Sequence, residues 1–332
     1  DSDRARGRVV LPREGGTVEA DFATLRLVRE TSAAEQDNEF LNLEEQLQAF
    51  RELDMGNWPD IDARISDLRL DGESAGSWRF KLRPEPYRLR VQEVEGRLGS
   101  LVLSGDMTWS IVDDRETTRF TGKLEGGALK DLEALTGSTI PMTNEETAVE
   151  LDLDWPGSPN NISLSKISGT VSARLDDGMI MEQSNSAQLF RIFNLLNTDT
   201  LWRRLRLDFS DLYERGVAFD AISGKANIIN GLVTMDPELQ LVGPSGAFKL
   251  SGNTNMAEET LDMRLVLVLP VTQNLPLAAI LMGASAPIGG ALFVLDKILG
   301  DPLSKLTSAT YSVTGTWSNP EVDLRGVFDT GE

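Results

Sequence analysis

Apolar and charged residues alternate one for one through much of this chain. Ile61, Ala63 and Ile65 alternate with Asp62 and Arg64, and Trp78, Phe80 and Leu82 with Arg79, Lys81 and Arg83. Val149, Leu151, Leu153 and Trp155 alternate with Glu150, Asp152 and Asp154, and Met107, Trp109 and Ile111 form a further such set. Successive side chains on a strand point to opposite faces, so each stretch predicts a strand with one apolar and one solvated face, as in an antiparallel sheet wet on one side. Asp71-Gly72, Glu125-Gly126-Gly127 and Asp177-Gly178 read as turns between strands. The strands so delimited are short, about five or six residues each. Val9 and Leu11, then Leu25 and Leu27, flank the turn signal Pro12–Gly16 as in a hairpin.

Helical spacing is confined to a few places. Phe40, Leu43, Leu47, Phe50 and Leu53 recur at three and four residues, predicting an amphipathic helix over residues 37–55 that packs on the sheet or lies on a membrane surface. Leu189, Phe190, Phe193, Leu195 and Leu196 predict a second over residues 186–199, lidding the sheet or facing lipid, with Arg203, Arg204 and Arg206 just beyond. Between Trp58 and Gln183 no helical stretch longer than Leu129–Leu135 appears. The apolar face there must be covered by the sheet curling over itself, either closed and self-filled or partly open as a trough. Large aromatic residues would fill a closed barrel, and this chain is only 6% aromatic. That favours the trough.

The same alternation opens the most informative segment. Leu261, Met263, Leu265, Leu267 and Leu269 share one face of a strand; the other carries Asp262 and Arg264, then Val266 and Val268, so it begins charged and ends apolar. From Leu265 to Leu295 no Asp, Glu, Lys or Arg occurs, although one residue in four of the chain is charged. Pro276, Gly283, Pro287, Gly289 and Gly290 break the apolar part of this run into two halves. A helical hairpin over residues 275–300 is expected rather than a single span, closing the trough or dipping into one leaflet. Leu277, Ile280, Leu281, Ile288, Leu292 and Phe293 are the candidate membrane-tip residues. The candidate trough-lining residues are Val149, Leu151, Leu153, Trp155, Leu205, Leu207, Phe209, Phe248, Leu250, Leu261, Met263, Leu265, Leu267 and Leu269.

Composition narrows the function. With 32 basic against 52 acidic side chains, net −20, the chain lacks the clustered cations that nucleic acid or an anionic lipid surface requires. It has no Cys, hence no disulfide framework or thiolate metal site, and no His, the commonest general base and metal ligand. Asp208-Phe209-Ser210-Asp211 sets two carboxylates around a serine, but without a histidine the serine lacks its usual base. Gly283-Ala284-Ser285-Ala286 lacks the second glycine of a nucleophile elbow. No catalytic residue, cofactor or metal is expected. Asp1–Arg6 carries no apolar signal-peptide core, and the start reads like the middle of a longer protein.

Particular stretches carry a family resemblance. Leu201-Trp202-Arg203-Arg204-Leu205-Arg206-Leu207-Asp208-Phe209-Ser210-Asp211-Leu212, then Gly216–Asp220 and Ile222-Ser223-Gly224, resemble the C-terminal region of the YhdP family of AsmA-like envelope proteins. Asn230-Gly231, Gly243-Pro244-Ser245, Pro270, Leu275-Pro276-Leu277 and Tyr311–Pro320 are similar to it too. The likeness is specific from Trp155 onward and looser from Gly7 to Trp155. It implies a segment of a bridge-like lipid transporter related to TamB, in the Gram-negative periplasm and part of a longer protein anchored in the inner membrane. Phospholipid acyl chains would be its cargo and the inner leaflet of the outer membrane its target. The organisation expected is one elongated, mainly β, antiparallel groove with a few short helices. Its β parts are residues 58–185 and 200–274, its apolar tip residues 275–300, and its closing strands residues 307–328.

Overall fold

The structure is a computed structural model describing residues 4–12, 16–28, 55–112, 115–159, 161–181, 216–244, 246–270 and 306–329. The expected helices over 37–55 and 186–199 and the apolar hairpin over 275–300 lie almost wholly outside these residues.

Among the described residues seventeen strands, β1 to β17, make one hydrogen-bonded sheet. They divide into two compact units, the first built mainly from residues 1–125 and the second mainly from residues 164–332. The only helical turns among the described residues are short, at Met55–Asn57, Leu129–Leu132 and Glu133–Thr136.

In the first unit β1 (Ala5–Val10) and β2 (Val18–Leu27) form the hairpin read from the sequence, with Val9 opposite Ala20. β2 then runs parallel to β3 (Ile61–Ile65) and β4 (Leu68–Leu70), a local departure from the expected antiparallel order. A parallel pair needs a long crossover, and residues 28–60 supply one that alternation alone could not reveal. After the short β5 (Glu73–Ser74), β6 (Ser77–Glu85), β7 (Arg88–Leu98) and β8 (Leu101–Val112) form an antiparallel meander, followed in the sheet by β9 (Arg115–Gly126).

β10 (Met142–Pro156) contributes its first part to the second unit and Leu151–Pro156 to the first. The second unit continues with β11 (Ser168–Ile180), β12 (Val217–Ile229), β13 (Leu232–Gly243), β14 (Gly246–Asn255), β15 (Thr260–Pro270), β16 (Leu306–Thr316) and β17 (Pro320–Asp329). From β11 to β17 each strand is antiparallel to the next. Asn230-Gly231 closes β12 on β13 as a two-residue turn, with Ile229 opposite Leu232 and both central residues at positive φ, which glycine adopts without strain.

Most strands are much longer than the five or six residues expected; β10 has 15 and β11 and β12 have 13. One glycine that read as punctuation lies inside a strand. Asp177-Gly178 is not a turn: β11 runs through it without a change of register, Asp176 opposite Ala221 and Gly178 opposite Phe219, with Asp177 at positive φ. Register shifts interrupt β6/β7, β7/β8, β12/β13 and β13/β14 without ending the strands.

Candidate functional site

The candidate site is the apolar face of each unit. In the second, antiparallel register lines side chains into rows across the strands. One row runs Leu175, Ile222, Leu241, Phe248, Leu267 and Ala309, each directly opposite the next. At about 4.8 Å per strand it spans roughly 24 Å. That exceeds the ~15 Å taken by the acyl chains of one leaflet in a bilayer core about 30 Å thick. A second row joins Leu239, Leu250, Leu265 and Tyr311, and a third Met235, Gly252, Met263, Val313 and Val322.

These rows make one cluster in which Leu175, Ile222, Leu241, Phe248, Leu261, Met263, Leu265, Leu267, Tyr311 and Val313 are all buried. Leu250, Leu239 and Met235 pack against it and stay partly accessible. The opposite face of β15 changes along its length as read from the sequence: Asp262 and Arg264 are exposed, Val266 is half-buried and Val268 is buried. Ala221, Val242 and Ala247, in register with Val268 across β12 to β15, are buried too, so the sheet is covered on both faces at that end.

In the first unit the rows are more open. Ile61, Leu82, Val91 and Met107 follow one another across β3, β6, β7 and β8, and Ile65, Trp78, Gly96 and Leu103 make the parallel row. Val91 and Ile65 are buried, whereas Ile61, Leu82, Met107, Trp78 and Leu103 are half-buried. Two aromatic rings of this unit, Trp78 and Phe120, lie over glycines. A Cβ built on Gly96 would stand 2.5 Å from the Trp78 ring, and one on Gly122 2.6 Å from the Phe120 ring. A ring laid over a residue without a side chain adds apolar surface and little height.

Polar groups on this face are individually held. The Trp109 indole N–H donates to Glu116 Oε1 at 2.8 Å, and the Thr118 hydroxyl donates to the Gly157 carbonyl at 2.7 Å. The reverse face of the first unit is laced by cross-strand ion pairs, including Lys81 with Glu93 at 2.6 Å, Arg83 with Asp62 at 2.7 Å, and Arg79 with Glu95. Arg97 and then Arg79 hold the Glu95 carboxyl below its ordinary range.

Of the candidate lining residues, Phe248, Leu261, Met263, Leu265 and Leu267 belong to the buried cluster and Leu250 packs on it. Val149, Leu151 and Leu153 are half-buried on β10, and Trp155 is buried with its indole N–H on the Ser158 carbonyl. Leu269 lies on β15, but its side chain is outside the described residues, as are Leu205, Leu207, Phe209 and the tip candidates Leu277, Ile280, Leu281, Ile288, Leu292 and Phe293. Sequence reading missed Leu175, Ile222, Leu241, Tyr311 and Val313 as members of the rows. Their signal was present in the alternation of β11, β12, β13 and β16, but assembling them needs the register.

Comparison with known proteins decides the family. The family model described as "YhdP protein" matches residues 1–322. The chain belongs to the YhdP family. It is 26% identical over 266 residues to a curated member, "Intermembrane phospholipid transporter YhdP" of Escherichia coli (strain K12). That alignment covers 80% of this chain and 21% of the relative, so the chain spans about a fifth of the length of the YhdP protein it matches. No solved structure matches. Among the described residues of this family member, no helix is long and apolar enough to cross a membrane.

Proposed function

We propose that this chain is a periplasmic segment of a bridge-like phospholipid transporter, and that its apolar face carries acyl chains between the inner and outer membranes of a Gram-negative envelope. The observation that carries this reading is the unbroken apolar register from Leu175 to Ala309 and, in the first unit, from Ile61 to Met107. Acyl chains need a continuous apolar surface and no directed bonds. Each buried CH2 is stabilised by about 0.8 kcal/mol, and a chain can slide because neighbouring positions on such a surface are nearly equivalent. In the first unit the charged reverse face, tied by ion pairs, keeps that side of the sheet in water. The similarity to a named phospholipid transporter supports lipid as the cargo.

Residues 275–300 form the delivery end in this reading, with Ile280, Leu281, Leu292 and Phe293 entering the inner leaflet of the outer membrane. Native mass spectrometry of protein prepared without detergent tests the proposal. Bound phospholipid is expected, and a lipid-free protein would overturn it.

A second reading is favoured by one observation. In the second unit Leu265, Leu267 and Val313 are at most 2% exposed, as the filled interior of a structural β-protein would be. Recovery of lipid from the protein separates the two.

A further inference from the structure

Two arginines of the second unit stand in one depression with no carboxylate partner among the described residues, in a chain whose acids outnumber its bases 52 to 32. The depression, about 510 Å³, is formed by β14, β15, β16 and β17, and it opens on the polar face, opposite the apolar rows. Arg264 lies directly between Ser251 on β14 and Ser312 on β16. Arg325 arrives by a different device. Thr310 is opposite Gly326 and Tyr311 is opposite Leu324, so Arg325 is the extra residue of a bulge. A bulge re-aims a side chain, and here Arg325 Nε donates to Ser312 Oγ at 2.8 Å. Ser312 is thus neighbour to both guanidinium groups. Among the described residues neither arginine is in an ion pair.

One acid lines the depression, Asp262, and a second borders it, Asp323, which is exposed and directly opposite Ser312. Asp262 is exposed on the same face two residues before Arg264, about 6.7 Å along the strand. Two guanidinium groups with most of their N–H donors unused suit a phosphate, which accepts forked hydrogen bonds. A bare phosphate dianion meets repulsion from Asp262 and from a protein of net charge −20, and a simple cation is repelled by the arginines. A group carrying a phosphate and an ammonium satisfies both.

We propose that this depression binds a zwitterionic phosphate ester with an ammonium on a short arm. The phosphate sits on Arg264, Arg325 and the Ser251 and Ser312 hydroxyls, and the ammonium on Asp262. The chemistry is shared by a free ester such as phosphoethanolamine and by an ethanolamine lipid headgroup at a membrane surface. The site lies on the other face of the sheet from the proposed acyl path and does not depend on it.

The test uses the whole chain and O-phosphoethanolamine as the probe, titrated calorimetrically beside inorganic phosphate. Saturable binding is expected, at least ten-fold weaker in the Arg264→Gln/Arg325→Gln double variant, whose exposed substitutions leave the β circular-dichroism spectrum unchanged. Asp262→Asn weakens phosphoethanolamine binding and strengthens phosphate binding. Absence of saturable binding, or equal affinity in the double variant, overturns the site; equal response of both ligands to Asp262→Asn overturns the ammonium half. Flotation with neutral vesicles containing phosphatidylethanolamine distinguishes the sources. Arginine-dependent co-flotation assigns the site to a membrane headgroup, and binding of the soluble ester without co-flotation assigns it to a free ester.

Discussion

Trp78 on β6 lies directly opposite Gly96 on β7, and its indole ring occupies the space that a side chain at Gly96 would fill. The ring is held there, because its N–H donates to the Ala75 carbonyl at 2.8 Å. A methyl at position 96 meets the ring at 2.5 Å, so Gly96→Ala forces an anchored ring away from the sheet. Overpacking of this kind costs about 1–3 kcal/mol. The expected result is a lower urea midpoint for Gly96→Ala in the wild type and little further loss in a Trp78→Ala background. A full double-mutant cycle checks it, and equal losses in both backgrounds would show that the two positions do not interact.

Gly178 is the stricter case. A Cβ there would stand 2.1 Å from the Thr143 backbone oxygen and 2.4 Å from the Phe219 ring. Backbone cannot swing aside as a ring can, so Gly178→Ala is expected to destabilise more than Gly96→Ala when the two are compared by denaturant unfolding.

Burial in the second unit sets a contrast of magnitude. Leu265 is 2% exposed within the cluster, whereas Ile229, at the β12–β13 turn, is 69% exposed. Leu265→Ala is expected to cost about 2–5 kcal/mol, by lost transfer energy and the cavity left behind. Ile229→Ala should stay within about 0.5 kcal/mol. Chemical denaturation of both variants measures the difference.

Two carboxylates give pH dependences of opposite sign. Burial, reinforced by the nearby Asp177 charge, pushes the Asp220 carboxyl up. A raised carboxyl favours folding when protonated, so its contribution is present at low pH and is lost as pH rises through its folded value. Hydrogen bonds from Arg69 and Ser74 hold Asp67 below its ordinary range, so its contribution is present above the ordinary aspartate range and is lost as pH falls through its folded value. Asp220→Asn is therefore expected to raise Tm at pH 7 and Asp67→Asn to lower it, and both differences should shrink in acid. Thermal melts between pH 3 and 7 check the signs.

Much of the fold was legible because strand alternation is a local property. Leu261 to Val268, with one face apolar and the other passing from Asp262 to Val268, takes the burial its pattern implies. What stayed hidden is non-local. Which residues face Leu267 depends on two chain reversals, and further along the row the register shifts in β12/β13 and β13/β14, so the row from Leu175 to Ala309 had no sequence signature of its own. Glycines misled for a related reason: a glycine in a turn and a glycine beneath a ring look identical in sequence. Gly96 and Gly178 are of the second kind, and reading Asp177-Gly178 as a turn cut β11 short. The family motif at Leu201–Leu212 and the apolar tip fall outside the described residues and rest on the sequence alone. The expectation there is that Asp at Ile280, Leu281, Leu292 and Phe293 abolishes liposome association and leaves the β circular-dichroism signal intact.

The central claim is that phospholipid acyl chains lie on the apolar face, and position-resolved photo-crosslinking in cells tests it most directly. A photoreactive residue placed in turn at Leu82, Leu103 and Met107 is predicted to capture phospholipid, and the same residue at Arg79, Thr121 and Lys123 on the reverse face is predicted to capture none. Equal capture on both faces, or none on either, would contradict the account.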